Sequence, residues 1–246
     1  MRPVKLSVIV LTHNDENKIV DCLEKLSFSD EIIVVDDNST DRTVELARQF
    51  TNSIHVHPLN QNFSNQRNYS LNFAHGEWVL FIDSDEIVSE NLAKEIRATI
   101  SDKNLSAYYL RRIDYMWGHR MQYGEGGSIK LLRLAKKGIG KWHGKVHEVW
   151  KVRQPTGILE NELIHHPHPT VRDFVQEIDM YSSLRSEEIE RKQKAHSIIF
   201  YPLAKFLVNY IWKRGYKDGN AGLIYAMCMS LHSFLVRSKS YLSHHD

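Results

Sequence analysis

The sequence predicts an α/β fold, with a mixed, mainly parallel sheet, flanking helices and a helical C-terminal extension. Short apolar runs such as Leu6–Leu11 and Ile32–Val35 alternate with amphipathic stretches, as in parallel strands joined by crossover helices. The segments become β-rich after residue 106 and helical from Val171 onward. The 246 residues are 42% hydrophobic and 25% charged, which excludes disorder and small disulfide scaffolds.

Each predicted strand and helix rests on a pattern in the sequence. The first strand is followed by an amphipathic helix with Ile19, Cys22 and Leu26, and residues 38–41 open the helix that follows the second strand. A short strand over 54–57 and a helix over 65–74 come next. Trp78–Ile82 is the fourth strand, and Ser89 caps the helix after it. Further strands are predicted at 107–116, 129–134, 146–152 and 158–164, and helices at 171–194 and in two later apolar stretches.

The charge distribution suggests two functional surfaces. Residues 1–106 carry 10 Lys and Arg against 17 Asp and Glu, residues 107–170 carry 11 against 5, and residues 171–246 carry 11 against 8. We therefore predict a domain over 1–170, divided into parts 1–106 and 107–170, and a helical extension over 171–246. The overall net charge of +2 argues against nucleic acid as a partner. Cys22 and Cys228 form no disulfide or zinc pattern, which suggests a reducing compartment.

Polar residues follow three of the predicted strands. They are Thr12–Glu16, Asp36–Ser39 and Asp83–Asp85. Any one of these groups is explained equally well as a helix cap. Three acidic groups at one edge of a parallel sheet would repel one another unless a cation or ligand hydroxyls were present. The Asp-x-Asp spacing after a buried strand favours Mg²⁺ or Mn²⁺ with substrate phosphates.

Two common nucleotide sites are excluded. The first strand is not followed by the Gly-rich turn with Gly-Lys-Ser/Thr that a P-loop requires, and no Gly-x-Gly-x-x-Gly turn is present. A nucleotidyltransferase would also need a Gly-rich, basic loop after the first strand, which this chain lacks.

Three ordered motifs carry a resemblance to a known family. Residues 7–16 (SVIVLTHNDE), 33–41 (IVVDDNSTD) and 81–86 (FIDSDE) resemble the family 2 glycosyltransferases of the GT-A fold. Gln66-Arg67-Asn68, Trp142-His143-Gly144, Val146-His147-Glu148 and residues 215–219 are similar to the lipopolysaccharide-core β-glucosyltransferase subgroup.

The resemblance implies a donor site and a divalent cation, Mg²⁺ or Mn²⁺. Thr12, His13 and Asp15 would line the base-binding end, although the wider family often has Tyr at the position of His13. The cation ligands implied are Asp83 and Asp85. His147 is a further candidate ligand; the alternatives are donation to the diphosphate and a purely structural role. The full set of nucleotide-sugar-binding residues implied is Thr12, His13, Asp15, Asp36, Asp37, Arg67 and Asp83; for Arg67 the alternative is a surface helix salt bridge.

Inverting transfer also needs a carboxylate that deprotonates the acceptor hydroxyl. The family places this base after a Gly-Ser loop and a further strand. Gly126-Gly127-Ser128 and the strand over 129–134 lead to Glu148, which is therefore the expected base. Glu125 is the second candidate and Asp114 the third. A zinc cluster at residues 165–168 is disfavoured, because Pro167 interrupts a segment without matching acidic or Cys partners; a loop near the acceptor is the preferred interpretation.

The apolar stretches 198–212 and 221–236 are too short and interrupted to span a membrane. They are either core helices or an interfacial surface, since Trp and Tyr lie beside Lys213 and Arg214. The interfacial interpretation predicts a cytoplasmic protein peripheral on the cytoplasmic face of the inner membrane.

The expected function is inverting, metal-dependent transfer of a hexose from a UDP-sugar to a lipopolysaccharide-core or other glycolipid acceptor. Alternatives are a polyprenyl-phosphate or peptide glycosyltransferase of the same fold, a nucleotidyltransferase, or a catalytically silent binding module at a membrane.

Overall fold

The computed structural model describes residues 4–101, 104–127, 129–145, 148–187, 189 and 194–243. The chain forms two compact units. The first contains Met1–Arg112 and Lys130–His165, and the second contains Ile113–Ile129 and His166–Asp246. Segment 113–129, which the sequence analysis grouped with 107–170, therefore belongs with the C-terminal helices. The reason is apolar packing, because Met116 and Met121 share a buried cluster with Phe174 and Tyr225.

The secondary structure follows the predicted order. The strands are β1 (Leu6–Thr12), β2 (Glu31–Asp36), β3 (Ile54–Val56), β4 (Trp78–Asp83), β5 (Glu86–Val88), β6 (Ala107–Met116), β7 (His119–Arg120), β8 (Ile129–Lys136), β9 (Gly140–His143), β10 (Val149–Val152) and β11 (Thr156–His165). The α-helices are α1 (Ile19–Glu24), α2 (Thr43–Ala47), α3 (Phe63–Ser70), α4 (Glu90–Thr99), α5 (Val171–Glu187), α6 (Ser197–Leu207) and α7 (Gly219–Ser243). A π-helical turn, Val208–Trp212, follows α6, and a 3₁₀ turn, Gly215–Asp218, precedes α7.

The main sheet has the strand order β3-β2-β1-β4-β8-β6-β11-β5, with β7 paired to β6. Strands β3, β2, β1 and β4 run parallel. Strand β8 is antiparallel to β4, and β5 is antiparallel to β11. Strands β9 and β10 form a separate antiparallel hairpin. The predicted mixed, mainly parallel sheet with flanking helices is confirmed.

The central strands are buried on both faces. Helices α1, α2 and α4 cover one side, and α3 together with the β9–β10 hairpin covers the other. All seven residues of β1 are buried. Val8 and Val10 pack in one apolar cluster with Cys22 of α1. Ile9 packs in the other cluster with Phe81 of β4. This two-sided burial explains the uninterrupted apolar runs in the sequence.

The second unit is organised around α7. Its Tyr225 and Cys228 pack against Phe174 and Ile178 of α5. Among the described residues, one helix, Gly215–Ser243, is long and apolar enough to cross a membrane, judged by length and composition. It extends on both sides of the stretch 221–236, which the sequence analysis judged too short to span one.

A close backbone approach fixes the start of α7. A Cβ atom added at Gly222 would overlap the carbonyl oxygen of Gly215. The carboxylate of Asp218 accepts hydrogen bonds from the backbone N–H groups of Gln122 (3.1 Å) and Tyr123 (2.8 Å). Segment 119–123 is thereby attached to the turn before α7.

We predict that Gly222→Ala destabilises the protein by about 1–3 kcal/mol, because the added methyl group forces the turn and the helix apart. Chemical denaturation would measure this loss. Asn220→Ala, at an exposed position of the same helix, is the control and should change the free energy of unfolding little. A Gly222→Ala variant as stable as the parent would contradict the close packing.

Candidate active site

Three acidic loops lie at the carboxyl ends of neighbouring parallel strands. In the strand register, Thr12 of β1 pairs with Asp36 of β2, and Leu11 pairs with Asp83 of β4. The loops after β1, β2 and β4 therefore share one edge of the sheet, which is where open α/β sheets bind their ligands.

Asp15 connects two of these loops. Its Oδ2 atom accepts hydrogen bonds from the Thr12 hydroxyl (2.9 Å), the His13 backbone N–H (3.0 Å) and the Ser84 hydroxyl. The His13 side chain is 55% exposed, and its Nδ1 atom lies 2.6 Å from the carbonyl oxygen of Asp37. Asp15 thus organises the loop, and the His13 ring is the more accessible group.

Two asparagines in the left-handed region shape the loops after β1 and β2. Asn14 has φ 53° and Asn38 has φ 51°, a conformation that Asn adopts more readily than most residues. Asn14 Oδ1 accepts a hydrogen bond from the Thr40 N–H at 2.8 Å, and the Asn14 N–H donates to the Ser39 hydroxyl at 2.9 Å. These bonds join the two loops.

Asp36 and Asp37 differ in their surroundings. Asp36 is buried, and its Oδ2 atom accepts a hydrogen bond from the Ser39 N–H at 2.9 Å. Its buried Oδ1 atom has no hydrogen-bond partner within the described part of the chain. Asp37 Oδ1 accepts a hydrogen bond from the Leu59 N–H at 2.7 Å. Asp36 therefore retains an unused acceptor at the strand edge.

Asp83 lies between two buried arginines. Arg67 donates to Asp83 Oδ1 at 2.8 Å, and Arg133 donates to Oδ2 at 2.6 Å. Burial alone would raise the pKa of Asp83, but the two guanidinium groups hold it well below its usual range. Asp83 is therefore an ionised carboxylate with both oxygens engaged.

Arg67 also connects Asp83 to Glu148. Its Nε–H donates to Glu148 Oε1 at 2.7 Å, and its guanidinium lies 4.8 Å from the ring centre of Trp142. The side chain is only 3% exposed, so the surface salt bridge considered as its alternative is wrong. The buried Nη1 atom of Arg67 has no hydrogen-bond acceptor among the described residues.

Glu86 completes this buried group. Its Oε2 atom accepts a hydrogen bond from the Asp83 N–H at 2.9 Å, and its Oε1 atom lies 3.7 Å from Arg133. Burial raises the pKa of Glu86, and the neighbouring Asp83 adds to this effect while Arg133 opposes it. The pKa of Asp83 is thus lowered, whereas the pKa of Glu86, three residues later, is raised.

Asp85 faces a different partner. Its Oδ2 atom lies 3.4 Å from Nε2 of His165 at the end of β11, and 4.0 Å from Nζ of Lys18. Burial alone would raise the pKa of Asp85, but the His165 imidazole holds it below its usual range. A carboxylate oxygen and an imidazole nitrogen at this separation are suitable donors for one divalent cation.

No group of three or more His, Cys, Asp and Glu side chains in the described ranges is arranged as a complete metal site. His147, predicted as a ligand, lies outside those ranges. His168 lies 3.2 Å from Glu177 and stacks on Phe174. Its contacts thus differ from those of His165, which faces Asp85.

The other base candidates lie in the second unit. Glu125 accepts hydrogen bonds from Lys205 (2.8 Å) and Lys213 (3.2 Å). Burial alone would raise the pKa of Glu125, but the two ammonium groups lower it. Asp114 is buried. Glu148, in contrast, belongs to the first unit and shares Arg67 with the acidic motif.

The sequence analysis missed Arg133, and it considered His165 only within a disfavoured zinc cluster and a loop near the acceptor, not as a partner of Asp85. Arg133 is a charged residue inside the apolar run of β8, and His165 follows directly on the apolar residues of β11. Both signals are visible in the sequence: a charge in a buried strand usually has a partner, and strand ends carry site residues.

Comparison with known proteins identifies the family. Residues 7–147 match the model of Glycosyl transferase family 2. The chain belongs to this family. The three acidic loops and Arg67 all fall within the matched range, and Glu148 follows it directly. The predicted resemblance is confirmed.

Several proteins that are similar to this family 2 glycosyltransferase are themselves named as glycosyltransferases. The lipopolysaccharide core biosynthesis glycosyltransferase LpsC of Rhizobium meliloti is 24% identical over 97% of this chain and 93% of its own length. An uncharacterized glycosyltransferase of Rickettsia felis is 31% identical over 77% of this chain and 72% of its own length. The mannosyltransferase PcManGT of Pyrobaculum calidifontis, solved with GDP-Man and Mn²⁺, shares the fold at a TM-score of 0.55 and 13% identity, covering 100% of this chain and 89% of its own.

We predict that Asp83→Asn lowers the free energy of unfolding by about 3–5 kcal/mol at neutral pH, because two buried guanidinium groups lose their shared carboxylate. Since the pKa of Asp83 is lowered in the folded state, this stabilisation is present above the ordinary Asp range and is lost as the pH falls through the lowered value. Denaturant unfolding at several pH values measures both effects.

Asp85→Asn is the matched control, two positions along the same loop. Its carboxylate faces His165 and Lys18, so the loss of stability should be clearly smaller. Equal stability losses in the two variants would show that the arginine pair does not depend on Asp83.

Proposed function

We propose that this family 2 glycosyltransferase transfers a hexose from a UDP-sugar, with inversion, to a lipopolysaccharide-core or other glycolipid acceptor. The observation that carries the proposal is Arg67, whose guanidinium bonds to Asp83 of the acidic motif and to Glu148. The long match to LpsC, a lipopolysaccharide core enzyme, supports the acceptor class.

The donor nucleotide is proposed to bind at the edge formed by the loops after β1 and β2. The unused Oδ1 atom of Asp36 suits a donor group such as the N–H of uracil. The exposed His13 ring suits stacking on the base, and Asp37 lies beside it. Thr12 and Asp15 hold this loop in shape through their hydrogen bond.

The cation is proposed to lie at Asp85 and His165. These two side chains supply oxygen and nitrogen donors, and substrate phosphates would complete the shell, as is usual for Mg²⁺ in phosphate-binding sites. Asp83 is the weaker ligand candidate, because Arg67 and Arg133 occupy its oxygens. A bound divalent cation would stabilise the negative charge of the departing diphosphate.

Glu148 is proposed as the general base. Its side chain is 12% exposed, so it is mostly buried but retains some contact with solvent. The Arg67 bond orients one carboxylate oxygen. The carboxylate would take the proton of the acceptor hydroxyl as that oxygen attacks the anomeric carbon, and the bond to the diphosphate breaks on the opposite side. One such displacement inverts the configuration.

We expect release of UDP from a UDP-hexose in the presence of lipopolysaccharide-core acceptor, and loss of that activity in EDTA. Asp85→Asn and His165→Ala should each raise the metal concentration needed for half-maximal activity. Glu148→Gln should lower kcat by about 10²–10⁴-fold, the usual contribution of a general base. A panel of UDP- and GDP-sugars, with polyprenyl phosphate as a second acceptor, tests specificity, and NMR of the product gives its anomeric configuration.

Two matched variants control these measurements. Glu160→Gln removes an exposed carboxylate paired with Arg111, and His75→Ala removes an exposed imidazole paired with Glu31; neither should alter kcat. Full activity in EDTA would overturn the metal proposal. A fully active Glu148→Gln would overturn the base, and a product with retained configuration would overturn inversion.

We further propose that α6 and the π-helical turn after it lie on an anionic membrane. Large apolar side chains recur along this segment and are exposed, among them Phe200 at 64%, Ile211 at 59% and Trp212 at 85%. Lys213 and Arg214 follow at once and are exposed. An apolar stripe with aromatic and cationic residues at its end is typical of interfacial helices. Attachment there would give the enzyme access to a lipid-linked acceptor.

We expect the full chain to co-sediment with phosphatidylglycerol vesicles, and the double variant Phe200→Ser/Trp212→Ser to do so at least about tenfold more weakly, since two large apolar groups no longer enter the interface. Val175→Ser/Met180→Ser changes exposed apolar residues of α5 and should bind like the parent. Equal sedimentation of the parent and the α6 variant would contradict the proposal.

A further inference from the structure

A groove of about 1380 Å³ lies within the first unit, away from the acidic loops. It is bordered by the β9–β10 hairpin, by Asn68 and Leu71 at the end of α3, and by Tyr109 of β6 and Leu132 of β8. The hairpin strand β10 begins immediately after Glu148. Val149, the residue after Glu148 in the chain, lines the groove, whereas Glu148 is not among the lining residues.

The side chains that line the groove and can carry a charge at neutral pH are all basic. They are Lys137, Lys141, His143, Lys151 and Arg153, with no Asp or Glu among the lining residues. Lys137 donates a hydrogen bond to the Ala74 carbonyl oxygen. Lys141, Lys151 and Arg153 are exposed, and none of the three is within 4.0 Å of a carboxylate in the described residues.

The hairpin register places two of these cations opposite each other. Lys141 of β9 pairs with Lys151 of β10, and like charges at directly opposed positions destabilise a strand pair. The neighbouring pair, Trp142 and Trp150, holds the hairpin against Phe81, with ring centres 5.1 Å from it. The lysine pair contributes nothing to that packing, and a bound anion would remove its repulsion.

The groove also carries surfaces that suit a sugar. The partly exposed Tyr109 ring offers a flat apolar face, and Asn72 and Gln154 offer amide groups that can bond to hydroxyls. A groove of this volume with several separate cations fits a chain of sugars with more than one anionic substituent better than a single small ion.

We propose that this groove binds phosphate groups on the sugar chain of the acceptor, with Lys141 and Lys151 sharing one phosphate and Arg153 contacting a further one. The inference rests on the proposed function for its acceptor and deepens it, because it assigns the acceptor a phosphorylated glycan. Ammonium and guanidinium groups are the usual protein partners of phosphate.

The test is binding of a deacylated, phosphorylated lipopolysaccharide-core oligosaccharide to the full chain by calorimetry. The same oligosaccharide after removal of its phosphates, and phosphatidylglycerol vesicles, are the comparison ligands. We expect the phosphorylated oligosaccharide to bind at least about tenfold more tightly than the dephosphorylated one, through charge-assisted hydrogen bonds that weaken with added salt. Lys141→Gln/Lys151→Gln should reduce this difference, with Arg153 retaining the remainder, and leave vesicle binding unchanged.

Lys25→Gln/Lys94→Gln is the matched control, since both lysines are exposed in the same unit and line a different hollow. It should bind the phosphorylated oligosaccharide like the parent. UDP binding, measured in every variant, reports that the donor site is intact.

The outcomes separate this inference from the proposed function. Equal affinity for the two oligosaccharides, or an undiminished preference in Lys141→Gln/Lys151→Gln, would overturn the phosphate groove. Loss of vesicle binding in that variant, without any effect on the oligosaccharide, would assign the cations to lipid headgroups and also overturn it. Phosphate-dependent binding without sugar transfer from any donor would support the groove and contradict the proposed activity.

Discussion

The carboxylate of Asp83, held between two buried guanidinium groups, is the interaction on which the rest of the site depends. Moving an ion out of water costs several kcal/mol, and only well-placed partners offset that cost. Arg67 and Arg133 are 3% and 7% exposed. Because Arg67 lies on α3 and Arg133 on β8, their bonds fix a helix and an antiparallel strand relative to the loop after β4. Arg67 also positions Glu148, which is distant from it in sequence.

The loops after β1 and β2 are held by shorter-range bonds of another kind. Asp15 accepts hydrogen bonds from its own loop and from Ser84, and Asn14 bonds to the loop after β2. These bonds engage many of the polar atoms of the two loops. At one side of the edge, Asp36 Oδ1 has no hydrogen-bond partner in the described part of the chain and the His13 ring is exposed; at another, Asp85 and His165 face each other. The arrangement is a pre-organised polar surface rather than a collection of separate caps.

Much of the fold follows from local patterns, whereas the partners within the site do not. Apolar runs that end in Asp or Asn predict where the parallel strands stop, and the three loops lie as expected. Arg133 becomes a partner of Asp83 only through the antiparallel pairing of β8 with β4, and His165 reaches the acidic loop only through the pairing of β11 with β5. Neither pairing has a local signal. The strand over 107–116 likewise gives no indication that its end joins the apolar cluster of the helical unit.

The bridging position of Arg67 limits how the sequence of such a protein can drift over generations. A change at Arg67 leaves two carboxylates without their shared cation, and a change at Asp83 or Glu148 leaves a buried guanidinium short of an acceptor. Single replacements are therefore costly although each residue belongs to a different segment of the chain. Viable descendants should retain all three residues or exchange them together, although Arg67 and Glu148 are distant in the chain.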